Sequence, residues 1–164
     1  MRRVAAAALL LAGACRAKPL DRAPDVEFPV VLQAPVLKTS MQELRGKAVV
    51  LDFWATWCGP CRDSLPHMNK LIQKFEGKDV RFLAVTQEDA HTVTEFTRDH
   101  PMKAWIGLDP DGAASRAFRV RGIPHIVVID AWGRIHHRLS TTFFYPSDIE
   151  DALNAKAPEP AAKP

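Results

Sequence analysis

The run Ala48-Val-Val-Leu-Asp-Phe-Trp54, followed by Ala-Thr-Trp57-Cys58-Gly59-Pro60-Cys61, constrains this chain more than any other stretch. An unbroken apolar segment of strand length reads as a strand buried on both faces. It gives way to Gly59-Pro60, which suits the first turn of a helix, where proline lacks only an N–H that would be unpaired anyway. Cys58 then stands at the helix N-terminus, where free N–H groups and the positive end of the dipole favour thiolate over thiol. Cys61 lies one turn further, within reach of Cys58. A strand–CxxC–helix unit of this kind is suited to reversible oxidation and predicts an α/β architecture.

The third cysteine, Cys15, follows a different pattern. Arg2-Arg3, the apolar stretch Val4 to Leu11 and the small residues Ala12-Gly13-Ala14 read as an export signal over residues 1–14. The stretch is too short to span a bilayer as a retained helix. Leu11-Ala-Gly-Ala-Cys15 resembles a lipobox, although Ala12 stands where leucine is usual, so Cys15 is expected to be a lipid anchor. Cleavage that leaves a free thiol is the alternative. No cysteine is then left for a structural disulfide, and an exported chain with a lone CxxC suits a catalyst of disulfide chemistry better than a stapled scaffold. Setting aside Arg2 and Arg3 leaves 20 basic against 19 acidic residues, a net of +1, which gives no electrostatic case for nucleic acid.

Along the chain, residues 15–27 carry Pro19, Pro24 and mixed charge without periodicity and are expected to form a tether. Residues 28–155 are expected to form the folded domain, and the Ala/Pro-rich residues 156–164 a disordered tail. Phe28 to Leu37, with Pro29 and Pro35, suggests a short edge strand or hairpin. Further strands are predicted at Val80–Thr86, Ala104–Leu108, Ile126–Ile129 and Arg134–Leu139. Helices are predicted at Gly59–Phe75, with Pro66 inside, at Ala90–His100, at Ala113–Phe118 and at Ser147–Asn154, the last capped by Ser147. Strands alternating with helices imply a mixed central β-sheet flanked by helices.

These motifs together resemble the thioredoxin superfamily, and within it the membrane-tethered TlpA/ResA-type thiol–disulfide oxidoreductases. Three separated signatures carry the resemblance: Val50 through Cys61, Pro66 in the following helix, and Val120-Arg-Gly-Ile123-Pro124. Asp109-Pro-Asp-Gly-Ala-Ala and Val128-Ile-Asp-Ala-Trp-Gly-Arg-Ile resemble further stretches of that branch. The resemblance implies a thioredoxin fold with an extra helix–strand insertion, around residues 87–112, between the CxxC helix and a cis-proline loop at Pro124.

It further implies Cys58 as an exposed attacking thiolate, Cys61 as the more buried resolving cysteine and Asp52 as the buried acid beneath it. Trp57, Gly59, Pro60, Ile123 and Pro124 become the substrate-binding surface. Many relatives have Asn in place of Asp52 and Glu three residues after the second cysteine, where this chain has Ser64. Proteins of this type act on protein disulfides or thiols and draw electrons from a membrane donor, with no cofactor; a periplasmic, lipid-anchored monomer is expected.

Alternatives are a disulfide-forming oxidase and a non-enzymatic copper chaperone that uses Cys58, Cys61 and His125 as soft ligands. His125 stands where relatives have threonine; a charged imidazole there would favour a Cys58 thiolate, and the alternative is a surface imidazole that points away from it. A structural zinc site needs two ligands beyond the CxxC, which no second CxxC or spaced His pair offers, so no metal site is expected. A peroxidase centre uses a single cysteine in a different local pattern.

Overall fold

The computed structural model describes residues 20–158. The export signal, Cys15, the tether up to residue 19 and the end of the tail lie outside the described residues. Among the described residues no helix is long and apolar enough to cross a membrane.

The predicted core strand is β4 (Ala48–Phe53), buried at every position. It pairs in parallel with β5 (Val80–Thr86) and antiparallel with β7 (His125–Ile129). Outside β5 lies β6 (Trp105–Leu108), parallel to it, and outside β6 the short strand β2 (Val30–Leu32), antiparallel. On the other side β8 (Ile135–Leu139) returns antiparallel to β7, giving the mixed order β2-β6-β5-β4-β7-β8. A separate pair, β1 (Glu27–Phe28) with β3 (Thr39–Ser40), holds the segment around β2.

Strand alternation divides β4 between two cores. Val50 and Trp54 face α1 (Gly59–Lys74) and α4 (Pro146–Leu153), packing with Leu65, Met68, Leu71 and Ile149. Val49, Leu51 and Phe53 face the other way, toward Phe28, Phe118 and Ile135, beside α3 (Ala113–Ala117). Helix α2 (Ala90–Asp99) and β6 occupy the stretch where the resemblance implied an added helix and strand. Asp89 starts α2 as its N-cap, accepting the Thr92 N–H at 2.9 Å. Buried Asp109 does comparable work for α3, accepting from the N–H groups of Ala114 and Ser115 at 2.9 Å each.

Two expectations need correction. The tether does not extend to residue 27: Asp21 accepts from the Ile135 N–H, Ala23 donates to the Gly133 carbonyl, and Arg22 bridges Arg134, so the segment closes onto the start of β8. Helix α4 is not capped by Ser147. Its N-cap is Tyr145, Pro146 supplies the preset φ of the first turn, and the Asp148 carboxylate accepts the Tyr145 N–H at 2.7 Å. At the tail, the Lys156 carbonyl accepts from Arg134.

Gly107 on β6 shows how closely this part of the sheet is packed. A Cβ there would lie 2.9 Å from Cδ1 of Phe28, a ring with no exposed surface. Gly107→Ala is expected to destabilise the fold by about 1–3 kcal/mol, because the ring has no space to yield. A lower urea midpoint at unchanged m-value is the readout.

Candidate functional site

Where β4 ends, Trp54 hands the chain to a turn in which the Cys58 N–H donates to the Ala55 carbonyl at 3.1 Å. Cys58 is the N-cap of α1, in extended conformation, with Pro60 in the first turn. Cys58 and Cys61 form a disulfide with a Cα–Cα separation of 5.3 Å. The Cys58 Sγ also accepts the Cys61 N–H at 3.3 Å, so one orphan donor of the helix N-terminus points at that sulfur. A thiolate formed there meets the positive end of the helix dipole.

Exposure does not distinguish the two cysteines as expected: Cys58 is 4% and Cys61 3% exposed. In the disulfide the Cys58 sulfur is turned back over the helix N-terminus. Both pack in the α1-side core, and what separates the pair is position, with Cys58 at the cap and Cys61 inside the first turn. Trp57, one residue upstream, is 74% exposed.

Asp52 lies on the α1 face of β4, lining a small cavity with Val50, Leu65, Met68 and Ala84. Its Oδ1 is buried without a hydrogen-bond partner, and burial pushes its pKa up to about 7. The carboxyl is therefore poised to hold or release a proton near neutrality.

Opposite the disulfide-bearing turn, the Ile123–Pro124 peptide bond is cis. Ile123, Gly122 and Val120 line a groove of about 440 Å³ together with Phe53, Trp57 and Glu88. Glu88 was not anticipated from the sequence. It accepts the Thr56 N–H at 2.7 Å and the Thr56 hydroxyl at 2.6 Å, and so fixes the turn that precedes Cys58. No sequence pattern marks it, because its partner is 32 residues away.

Of the two readings open for His125, the structure favours the imidazole that points away from Cys58. It pairs in register with Phe53, so its side chain belongs to the face opposite Asp52 and the cysteine-bearing core. Its ring lies 6.2 Å from that of Phe53, and its Nε2 is buried without a partner. Burial, reinforced by the Arg138 charge, lowers its pKa, so it is neutral where a thiolate needs a cation. Among the described residues no three His, Cys, Asp or Glu side chains are placed to hold a metal ion, and the ligand set drawn for copper does not assemble. Gly59 and Pro60 lie with the disulfide at the head of α1, whereas Cys15 lies outside the described residues.

Residues 19–138 match the AhpC/TSA family. The chain is 30% identical over 99 residues to the thiol-disulfide oxidoreductase ResA of Bacillus thuringiensis subsp. konkukian, covering 60% of this chain and 57% of that one. It is 31% identical over 119 residues to ResA of Geobacillus kaustophilus, covering 72% and 68%. It superposes with a TM-score of 0.71 on a Chlorobium tepidum crystal structure described as a candidate thiol:disulfide interchange protein DsbE, at 30% identity over 84% of this chain and 99% of that one. The likeness to the Bacillus protein thus spans little more than half of its length. With the redox turn, the cis-proline loop and the mixed sheet all inside the matched region, the chain belongs to the AhpC/TSA family as a thioredoxin-fold relative of the ResA thiol-disulfide oxidoreductases.

Proposed function

We propose that this protein is an exported thiol–disulfide oxidoreductase that reduces disulfides in protein substrates by cycling Cys58 and Cys61 between dithiol and disulfide. The observation that carries the reading is the disulfide at the head of α1, with the Cys58 sulfur at the N-cap receiving a helix N–H. In the reducing half-cycle, the Cys58 thiolate attacks one sulfur of a substrate disulfide. The substrate S–S bond breaks, a mixed disulfide forms, and the departing substrate sulfur carries away the electron pair and takes a proton. Cys61, relieved of its proton by Asp52, then attacks Cys58 Sγ and expels the second substrate thiolate. The substrate gains two electrons and two protons; the protein is left oxidised. The sulfurs need no cofactor.

Trp57, Gly59, Pro60, Ile123 and Pro124 make the surface on which the substrate rests, the Ile123 backbone pairing with an extended segment. A membrane thiol donor restores the dithiol, and acylated Cys15 holds a monomer at the periplasmic face of the membrane. The export signal supports the compartment, and the names ResA and DsbE carried by its relatives support the chemistry.

The oxidase reading runs the same steps backwards, and the equilibrium potential decides between them. Measured by thiol trapping in graded thiol/disulfide buffers, a reductase is expected near the thioredoxin end, about −250 mV or lower. A value above about −150 mV would assign the protein to disulfide formation.

A further inference from the structure

Glu88 is the one charged side chain among those lining the groove that Trp57, the neighbour of Cys58 in the chain, shares with Ile123; Phe53 and Val120 add apolar wall, and Thr86, Gln87 and Ser115 neutral polar groups. Its carboxylate is held by neutral donors alone. Oε2 accepts the Thr56 N–H at 2.7 Å and the Thr86 hydroxyl at 3.3 Å, while Oε1 accepts the Thr56 hydroxyl at 2.6 Å. No Lys, Arg or His among the described residues forms an ion pair with it. An ionised carboxylate offers about four acceptor positions, so one on Oε1 remains open. The result is a fixed negative charge, aimed by hydrogen bonds and flanked by apolar walls, on the residue that anchors the turn before the nucleophile. What the groove lacks is a cation.

We infer that Glu88 is a specificity-determining residue, favouring disulfide-bearing segments with a lysine or arginine close to the cysteine that pairs with Cys58. The apolar stem of that residue packs against Trp57 and Ile123, and its charged head fills the open acceptor position on Glu88. An acidic residue in the same place meets the carboxylate and is disfavoured. This selection rests on the exchange chemistry proposed above and adds the class of segment on which it acts.

The test uses the full chain, reduced beforehand with a small dithiol and freed of it. Three peptides, each with one internal disulfide, differ only in carrying Lys, Ala or Glu beside the first cysteine. Single-turnover reduction of the Lys peptide is expected to outpace that of the Glu peptide by about fivefold at low salt. High salt is expected to bring the rates together, since a partly exposed ion pair is screened. Glu88→Gln is expected to bring the Lys/Glu ratio close to one, and Glu88→Lys to invert it. The ratio is internal to each variant, so a general slowing from a loosened Thr56 leaves it unchanged. Equal rates for the three peptides in the unaltered protein overturn the inference, as does an unchanged ratio in Glu88→Gln. If no peptide is reduced, the exchange reading itself falls, and the selection with it.

Discussion

Cys58→Ser is expected to abolish disulfide exchange, by at least about a thousandfold, while Cys61→Ser is expected to leave the protein covalently bound to its substrate. The asymmetry follows from where each sulfur sits. Cys58 is the N-cap, its Sγ facing the Cys61 N–H at 3.3 Å, so a charge on it is held by the helix N-terminus. Cys61 lies inside the first turn, and its own N–H is directed at Cys58 Sγ, so the helix-end donor supports charge on Cys58. The first attack therefore belongs to Cys58 and the second to Cys61. Mass spectrometry under non-reducing conditions, after mixing each variant with a disulfide-bearing peptide, separates the cases. An adduct on Cys61→Ser and none on Cys58→Ser is the expected result; the opposite pattern would reverse the order of attack.

The placement of Cys58 at the helix start was legible in the sequence because it depends on local features: a strand-length apolar run, a Gly-Pro turn and a cysteine before it. β4, α1 and β5 follow from the same local rules and were anticipated nearly to their ends. What escaped depends on pairing between distant segments. The two-residue strands β1 and β3 exist only because each completes the other, and neither has a periodicity of its own. The tie of residues 21–23 to the start of β8 is likewise a matter of backbone hydrogen bonds without a side-chain signature.

His125 illustrates a subtler limit. Its place after Pro124 leaves open whether it faces Cys58 or points away, and its face is set by the register of β7 on β4, which pairs it with Phe53 and pairs Asp52 with Ile126. Alternation then sends the imidazole to the opposite core. Glu88 escaped for the converse reason: a loop residue with no motif becomes part of the site through two hydrogen bonds to Thr56. The exposure of Cys58 is not legible in a CxxC motif, because it depends on the disulfide with Cys61, in which Cys58 is buried.

Asp52→Asn is expected to separate the stability and the reactivity of the fold in opposite directions, with a pH signature in each. In the folded chain burial raises the Asp52 pKa from 3.8 to about 7. Below the unfolded value the carboxyl is neutral in both states and costs nothing electrostatically. As pH climbs from there, the unfolded chain ionises and the folded chain does not, so stability falls by about 1.4 kcal/mol per pH unit. The loss amounts to about 4 kcal/mol by neutrality and then levels off, because above the folded pKa both states are ionised. An asparagine has no proton to withhold. The stability of Asp52→Asn relative to the parent is therefore expected to rise by about 4 kcal/mol between pH 4 and pH 8, read by urea denaturation of the oxidised proteins. In catalysis the sign reverses. Without a carboxylate to take the Cys61 proton, release of peptide from the mixed disulfide is expected to slow by about a hundredfold at neutral pH. The inflection near pH 7 in the parent's release rate is expected to vanish with it. A parent and variant whose stability curves run parallel from pH 4 to pH 8 would place the perturbed proton on another group. A release rate that keeps its inflection in Asp52→Asn would remove Asp52 from the proton path, leaving it as a destabilising acid with no part in the exchange.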